Sequence, residues 1–182
     1  MEDVVFLDLE TTGLGEKDEI IEIGAVKLTA GKTETYQQLL NPPVGTISPH
    51  ILKLCQGITE KELRRSPRFA DIREQFLKFI GDHPLVCHNA AFEKMMLEKA
   101  LGERLQNTLL DSLELFALFK PHFARHGMDF LVKHYLKTDR PEAHRALANA
   151  LSALCPKKSE EKRLLDAMLL AVPRQRIYGT KT

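Results

Sequence analysis

The sequence predicts an α/β domain, a mixed five-stranded sheet flanked by helices, and three observations point there. Short apolar runs of strand length come first, and later ones alternate with segments whose apolar residues recur every three or four positions. Two early runs are joined by a short glycine-containing turn, the mark of a hairpin. The chain has 182 residues, 43 % hydrophobic and 28 % charged, an ordinary composition and a length suited to one domain with a real core.

Val4 to Leu9 is an apolar run interrupted by one carboxylate, and its branched and aromatic residues suit a central strand. Thr11 to Gly15 turns the chain; Glu19 to Leu28 and Thr33 to Leu40 read as the next two strands around Gly31, an antiparallel meander that Pro42 and Pro43 end. Ser48 and Pro49 start a short helix to Leu54, and Thr59 with Glu62 spells a capping box. Ser66 and Pro67 open another helix, in which Phe69, Ile72, Phe76, Phe79 and Ile80 make one buried face and which Gly81 stops. Pro84 to Cys87 is a brief buried strand. Asn89 is placed to cap a helix over 90–101, with Phe92, Met95, Met96 and Ala100 inward. Asn107 to Leu110 is the fifth strand, Asp111 or Ser112 caps a helix over 113–119, and helices follow over 127–136 and from Pro141 to Leu154. Pro156 breaks the last of these. The expected division is a domain over 1–155 and a C-terminal helix with a polar tail over 156–182, packed on the domain or serving as a linker.

Net charge is +1, which argues against a broad nucleic-acid-binding surface and leaves room for a local basic rim. The late pairs Lys157–Lys158 and Lys162–Arg163 read first as solvated helix ends. Cys55, Cys87 and Cys155 are scattered and odd in number, so neither a disulfide framework nor a structural zinc site is expected. No secretory pattern opens the chain and no stretch of about 18 apolar residues occurs. The expectation is a cytoplasmic protein with no membrane partner.

Asp8 and Glu10 are two apart, and in a strand residues i and i+2 share a face. Two aligned acids at the end of an apolar strand need compensation for lost hydration, and a divalent ion such as Mg²⁺ or Mn²⁺ supplies it. The plainer reading has Glu10 in solvent and Asp8 bonded to the next loop.

The context is more specific. Phe6 to Leu14 with Glu19 to Ala25, then Leu40 to Pro42, Ile47 to His50, Gly57 to Thr59, Leu85 to Glu93 and His144 to Leu147, in that order, resemble the motifs of the DEDDh 3′→5′ exonucleases. The resemblance covers roughly Val4 to Leu154. It implies the ribonuclease H-like form of the sheet and a two-ion site. Asp8 matches the acid that bridges both ions and Glu10 a ligand of one. Glu93 stands where the second motif has aspartate, and Asn149 where the third motif ends in aspartate; His144 matches the general base.

The implied chemistry explains those residue types. Hydrolysis of a phosphodiester needs an activated water and a stabilised leaving oxygen, which two ions about 3.5–4 Å apart can hold. Histidine is neutral near pH 7 and can accept the water's proton. Glu93 keeps the charge and adds a methylene, although an exposed helix glutamate is the bland alternative. Asn149 offers a carbonyl but no charge, and three explanations stay open: a deliberately inactivated sequence, a natural domain with weak or lost catalysis, or an active variant that recruits another acid, with Asp139 the nearest upstream.

By the same resemblance, Thr11 and Thr12 hold the terminal nucleotide, Leu14 presses on a base, and His88, Asn89 and Phe92 line the cleft. Turn formation at Thr12–Gly13 and helix capping by Asn89 are compatible plainer roles. Three tyrosines and no tryptophan suit a short pocket for one or two nucleotides of a single-stranded or frayed 3′ end. The expected activity is metal-dependent 3′→5′ hydrolysis of DNA or RNA. The alternatives are an inactive module that binds nucleic-acid ends or a partner protein, and one domain of a polymerase- or helicase-associated protein.

Overall fold

The computed structural model describes residues 3–29, 32–43, 47–55, 58–119, 121, 122 and 127. Along the chain these form β1 (Val4–Thr11), β2 (Ile20–Thr29), β3 (Lys32–Leu39), α1 (Pro49–Leu54), α2 (Glu60–Arg65), α3 (Phe69–Ile80), β4 (Leu85–Cys87), α4 (Ala90–Leu101), β5 (Leu109–Asp111) and α5 (Ser112–Phe119). The five strands make one sheet in the order β3-β2-β1-β4-β5. β1 pairs antiparallel with β2, which pairs antiparallel with β3; β1–β4 and β4–β5 are parallel. The expected mixed five-stranded sheet is thus present, and β1 runs through its middle.

Alternation along β1 sends Val5, Leu7 and Leu9 to one face, where they pack with Ile23, Ala25, Leu85 and Cys87 beneath Ile72, Phe76 and Ile80 of α3 and Met96 and Leu97 of α4. Val4 and Phe6 turn to the other face with Val26 and Val86. A third cluster, Ile21, Ile47, Cys55, Ile58 and Leu63, lies under α1 and α2. Phe6 and Phe76 are fully buried, and burying side chains of that size stabilises by roughly 1.5–3 kcal/mol each.

Local chemistry sets most boundaries. The Ser48 hydroxyl accepts the His50 N–H, and the Thr59 box is complete: Glu62 N–H donates to Thr59 Oγ1 at 3.2 Å and Thr59 N–H to Glu62 Oε2 at 2.9 Å. Gly81 ends α3 at φ +54°, a conformation that side chains resist. Two expectations need correction. α3 starts at Phe69 rather than at Pro67, because the Pro67 carbonyl is taken by the Asn41 N–H (2.9 Å) and Asp71 closes the first turn on the Arg68 N–H (2.8 Å). On α4 the expected inward residues Phe92, Met95, Met96 and Ala100 all belong to or pack against the core, but the inner side is broader than that set, since Glu93 and Leu97 are buried there as well.

The two margins of the sheet differ. β3 exposes Lys32, Thr33, Glu34 and Thr35 and buries only Tyr36, while β5 has just three residues. No helix among the described residues is long and apolar enough to cross a membrane. The hairpin residue Gly31 and the helices and tail expected over 128–182 lie outside the described residues.

Candidate active site at the end of the first strand

Asp8 and Glu10 occupy one face of β1, opposite to Leu7 and Leu9, and both are half-buried. Across the antiparallel pair Asp8 faces Gly24 and Glu10 faces Glu22. The register shifts at Glu10/Thr11, which bends the strand where the acids end. Glu22 is completely buried and accepts from Gln37 Nε2 at 2.7 Å. The Cys55 thiol donates to Glu10 Oε2 at 3.5 Å. Like charges directly opposite each other on a sheet repel, so this strand end favours a cation.

The third acid comes from α4. Glu93 is 3 % exposed, and its Oε2 has no hydrogen-bond partner among the described residues. Burial pushes its carboxyl up to about 8; the charge of Asp111 adds to this, and a bond from its own backbone N–H opposes it. The reading of Glu93 as an exposed helix glutamate is therefore corrected. Cys87, on the neighbouring strand β4, feels the same group: burial raises its thiol well above the ordinary range, and Glu93, Asp8 and Asp111 each add to the rise.

Asp111 organises the surroundings. Its carboxylate accepts the Asn89 N–H at 3.1 Å and the Ala90 N–H at 2.9 Å at the start of α4, and the Leu113 N–H at 2.8 Å in α5. Asn89 is left-handed (φ +77°) and its side chain makes no capping bond, so its expected capping role passes to Asp111. His88 Nδ1 and Ser112 Oγ are 3.0 Å apart, and Phe92 packs against the main core.

The turn after β1 uses its own hydroxyls. Thr11 Oγ1 donates to the Gly13 carbonyl at 2.6 Å and Thr12 Oγ1 to Asp18 at 2.9 Å, while Leu14 is 82 % exposed. Spacing drew attention to Asp8 and Glu10; the parts played by Asp18, Glu22, Cys55 and Ser112 come from tertiary neighbours, and only Glu22 stood within a motif already noted.

The donor chemistry suits a divalent ion: two half-buried carboxylates at the strand end, and on α4 the buried Glu93 Oε2, which has no hydrogen-bond partner among the described residues. It is incomplete, since among the described residues no group of three or more His, Cys, Asp or Glu converges enough to hold a metal. His144 and Asn149 lie outside the described residues.

Residues 5–154 match the family model RNase_T, described as "Exonuclease". The chain is 38 % identical over 151 residues, 80 % of its length, to the DNA polymerase III PolC-type of Caldanaerobacter subterraneus. It is 34 % identical over 152 residues, again 80 %, to that of Bacillus subtilis. It spans only about a tenth of these polymerases, 11 % and 10 % respectively. Among solved structures, exonuclease X in complex with 5′ overhanging duplex DNA superposes with a TM-score of 0.66 at 24 % identity, covering 93 % of this chain and 92 % of that one. Exonuclease I superposes at 0.73 with 17 % identity over 93 % and 44 %. Both share its fold.

Proposed function

The chain belongs to the DEDDh-type exonuclease family, and from that premise we propose that it is a divalent-metal-dependent nuclease that removes nucleotides from the 3′ end of DNA or RNA. The observation that carries the reading is the buried Glu93 carboxyl, whose Oε2 has no partner among the described residues, on the helix beside the strand bearing Asp8 and Glu10. Membership of this family implies a divalent metal; Mg²⁺ or Mn²⁺, two ions, is the proposed identity, with Asp8, Glu10, Glu93 and Asn149 as the residues to hold them. Bound there, the ions would supply charge neutralisation at the phosphate and activation of water. Loading the site requires Glu93 to give up its proton.

The chain's own groups do the rest. His144 is the proposed base that takes the water's proton. The Thr11–Thr12 turn, Leu14, His88, Asn89 and Phe92 are the proposed contacts to the terminal nucleotide. The PolC-type relatives favour DNA, with a polymerase presenting the end. The span of the family match supports treating 1–155 as the nuclease unit and 156–182 as an appended segment.

The test is digestion of a 5′-labelled oligonucleotide in Mg²⁺ and in Mn²⁺. Stepwise shortening that disappears with EDTA and in Asp8→Ala is expected. Asn149→Asp should raise the rate at least tenfold, the scale of a lost metal-site partner. Absence of shortening in both the native sequence and Asn149→Asp would sink the proposal. Asn149 also motivates the second reading, an end-binding domain without turnover; 3′-end binding with no hydrolysis at any metal concentration would favour it.

A further inference from the structure

We infer that Asp18 is the positioning residue of the Thr11–Gly15 turn, fixing the shape in which that turn meets a 3′ end; this rests on the function proposed above. The β1–β2 connection winds around the Asp18 carboxylate. Thr12 Oγ1 donates to Asp18 Oδ1 at 2.9 Å, and the Gly15 N–H donates to Asp18 Oδ2 at 2.8 Å. Thr12 Oγ1 in turn accepts the Glu19 N–H at 2.9 Å, the Thr12 N–H donates to the Glu19 carbonyl at 2.9 Å, and the Asp18 N–H reaches the Gly15 carbonyl at 3.0 Å.

Gly13 passes so close that a Cβ built there would lie 2.6 Å from Asp18 Oδ2. The carboxylate could swing aside only by breaking its bonds to Thr12 and Gly15, so its placement requires a residue without Cβ at position 13. The turn is also anchored from outside. Lys99 Nζ donates to the Asp18 carbonyl at 2.6 Å and pairs with Glu19 Oε1 at 2.8 Å. Lys99 lies on α4, the helix that carries Glu93. The same few bonds therefore tie the turn both to the strand bearing Asp8 and Glu10 and to the helix bearing Glu93. A loop tip of this kind is ordinarily among the more mobile parts of a fold. Ordering it before the ligand arrives removes that cost from binding.

Asp18 acts through the turn rather than by touching the substrate, so the readout must be the turn's selectivity. The experiment measures anisotropy of a 5′-labelled single-stranded DNA ending in a 3′ hydroxyl, and of the same strand ending in a 3′ phosphate, on the full chain in Ca²⁺. The native protein should prefer the hydroxyl end. Asp18→Ala should weaken that binding by about tenfold, the scale of one charge-assisted hydrogen bond lost, and bring the two ends close to parity. Asp18→Asn, which keeps one acceptor oxygen, should fall between. Gly13→Ala should resemble Asp18→Ala, and should add nothing in the Asp18→Ala background. Hydrogen exchange should accelerate at residues 12–15 in Asp18→Ala, which reports on the turn without any ligand. If Asp18→Ala does not fold, Asp18→Asn and Gly13→Ala carry the comparison. Undiminished preference for the hydroxyl end in these variants, or unchanged exchange, overturns the inference while leaving the nuclease reading intact. A native protein indifferent to the 3′ group overturns that reading and the inference together.

Discussion

Glu93 sits in an environment that its residue type does not suggest. Its carboxyl is held near 8 against an ordinary 4.5, by burial first and by Asp111 second. Between those values the folded protein keeps a proton that the unfolded chain has released, so stability is full below about pH 4.5 and falls as pH rises toward 8. The slope approaches about 1.4 kcal/mol per pH unit. Urea unfolding in EDTA from pH 5 to 8 should show this decline, and Glu93→Gln should flatten it and be more stable than the native chain at pH 8. A native profile no steeper than that of the variant would refute the assignment. Asp8 and Glu10 were legible in the sequence because a strand's period of two fixes their common face. Glu93 was placed in the site by the family resemblance, but its burial was not legible: helical periodicity marked Phe92, Met95 and Met96 as the inner side, and nothing local announces that a glutamate will be enclosed. Asn89 misled for a related reason, since a residue of capping type adopts a left-handed backbone and leaves the capping to Asp111, 22 positions away in sequence.

Elements show the same division. Thr59 with Glu62, Ser48 and Gly81 place helix ends where adjacent residues dictate them, and these boundaries were readable. Asp111 caps the entry to α5 as its position suggested, but its carboxylate also sets the entry to α4, taking three backbone N–H groups at the starts of two helices. Asp111→Ala should therefore destabilise the protein by about 2–3 kcal/mol, more than a single helix-cap substitution. Chemical denaturation would measure this, with unchanged stability as the contrary result. The loss should also loosen the helix that carries Glu93, so metal affinity should weaken along with stability. Similarly, the start of α3 could not be placed from Ser66 and Pro67 alone, because the competing claim on the Pro67 carbonyl comes from Asn41, which precedes α1 and α2 in sequence.

For the whole molecule, the antiparallel meander and the mixed five-stranded sheet were inferable from the alternation of runs and from family resemblance, whereas the candidate site is assembled from parts far apart in the chain and exists only once the sheet has formed. A metal that binds only the folded state should stabilise it by about 2.7 kcal/mol at a hundredfold excess over its dissociation constant. Thermal melts with and without Mn²⁺ should show this rise, and Asp8→Ala should abolish it. An equal rise in Asp8→Ala would place the ion elsewhere. The margins of the sheet bear on a different matter, how the protein behaves when crowded. An eight-residue outer strand is an invitation for neighbouring molecules to add strands of their own, yet Lys32 and Glu34 line this one with charge and Thr33 and Thr35 keep it wet. Concentrated stocks should accordingly stay clear and free of fibrils. Replacing Lys32 and Glu34 with valine would remove that protection, and thioflavin fluorescence on prolonged storage should then climb, although the strand bearing Asp8 and Glu10 lies two strands away.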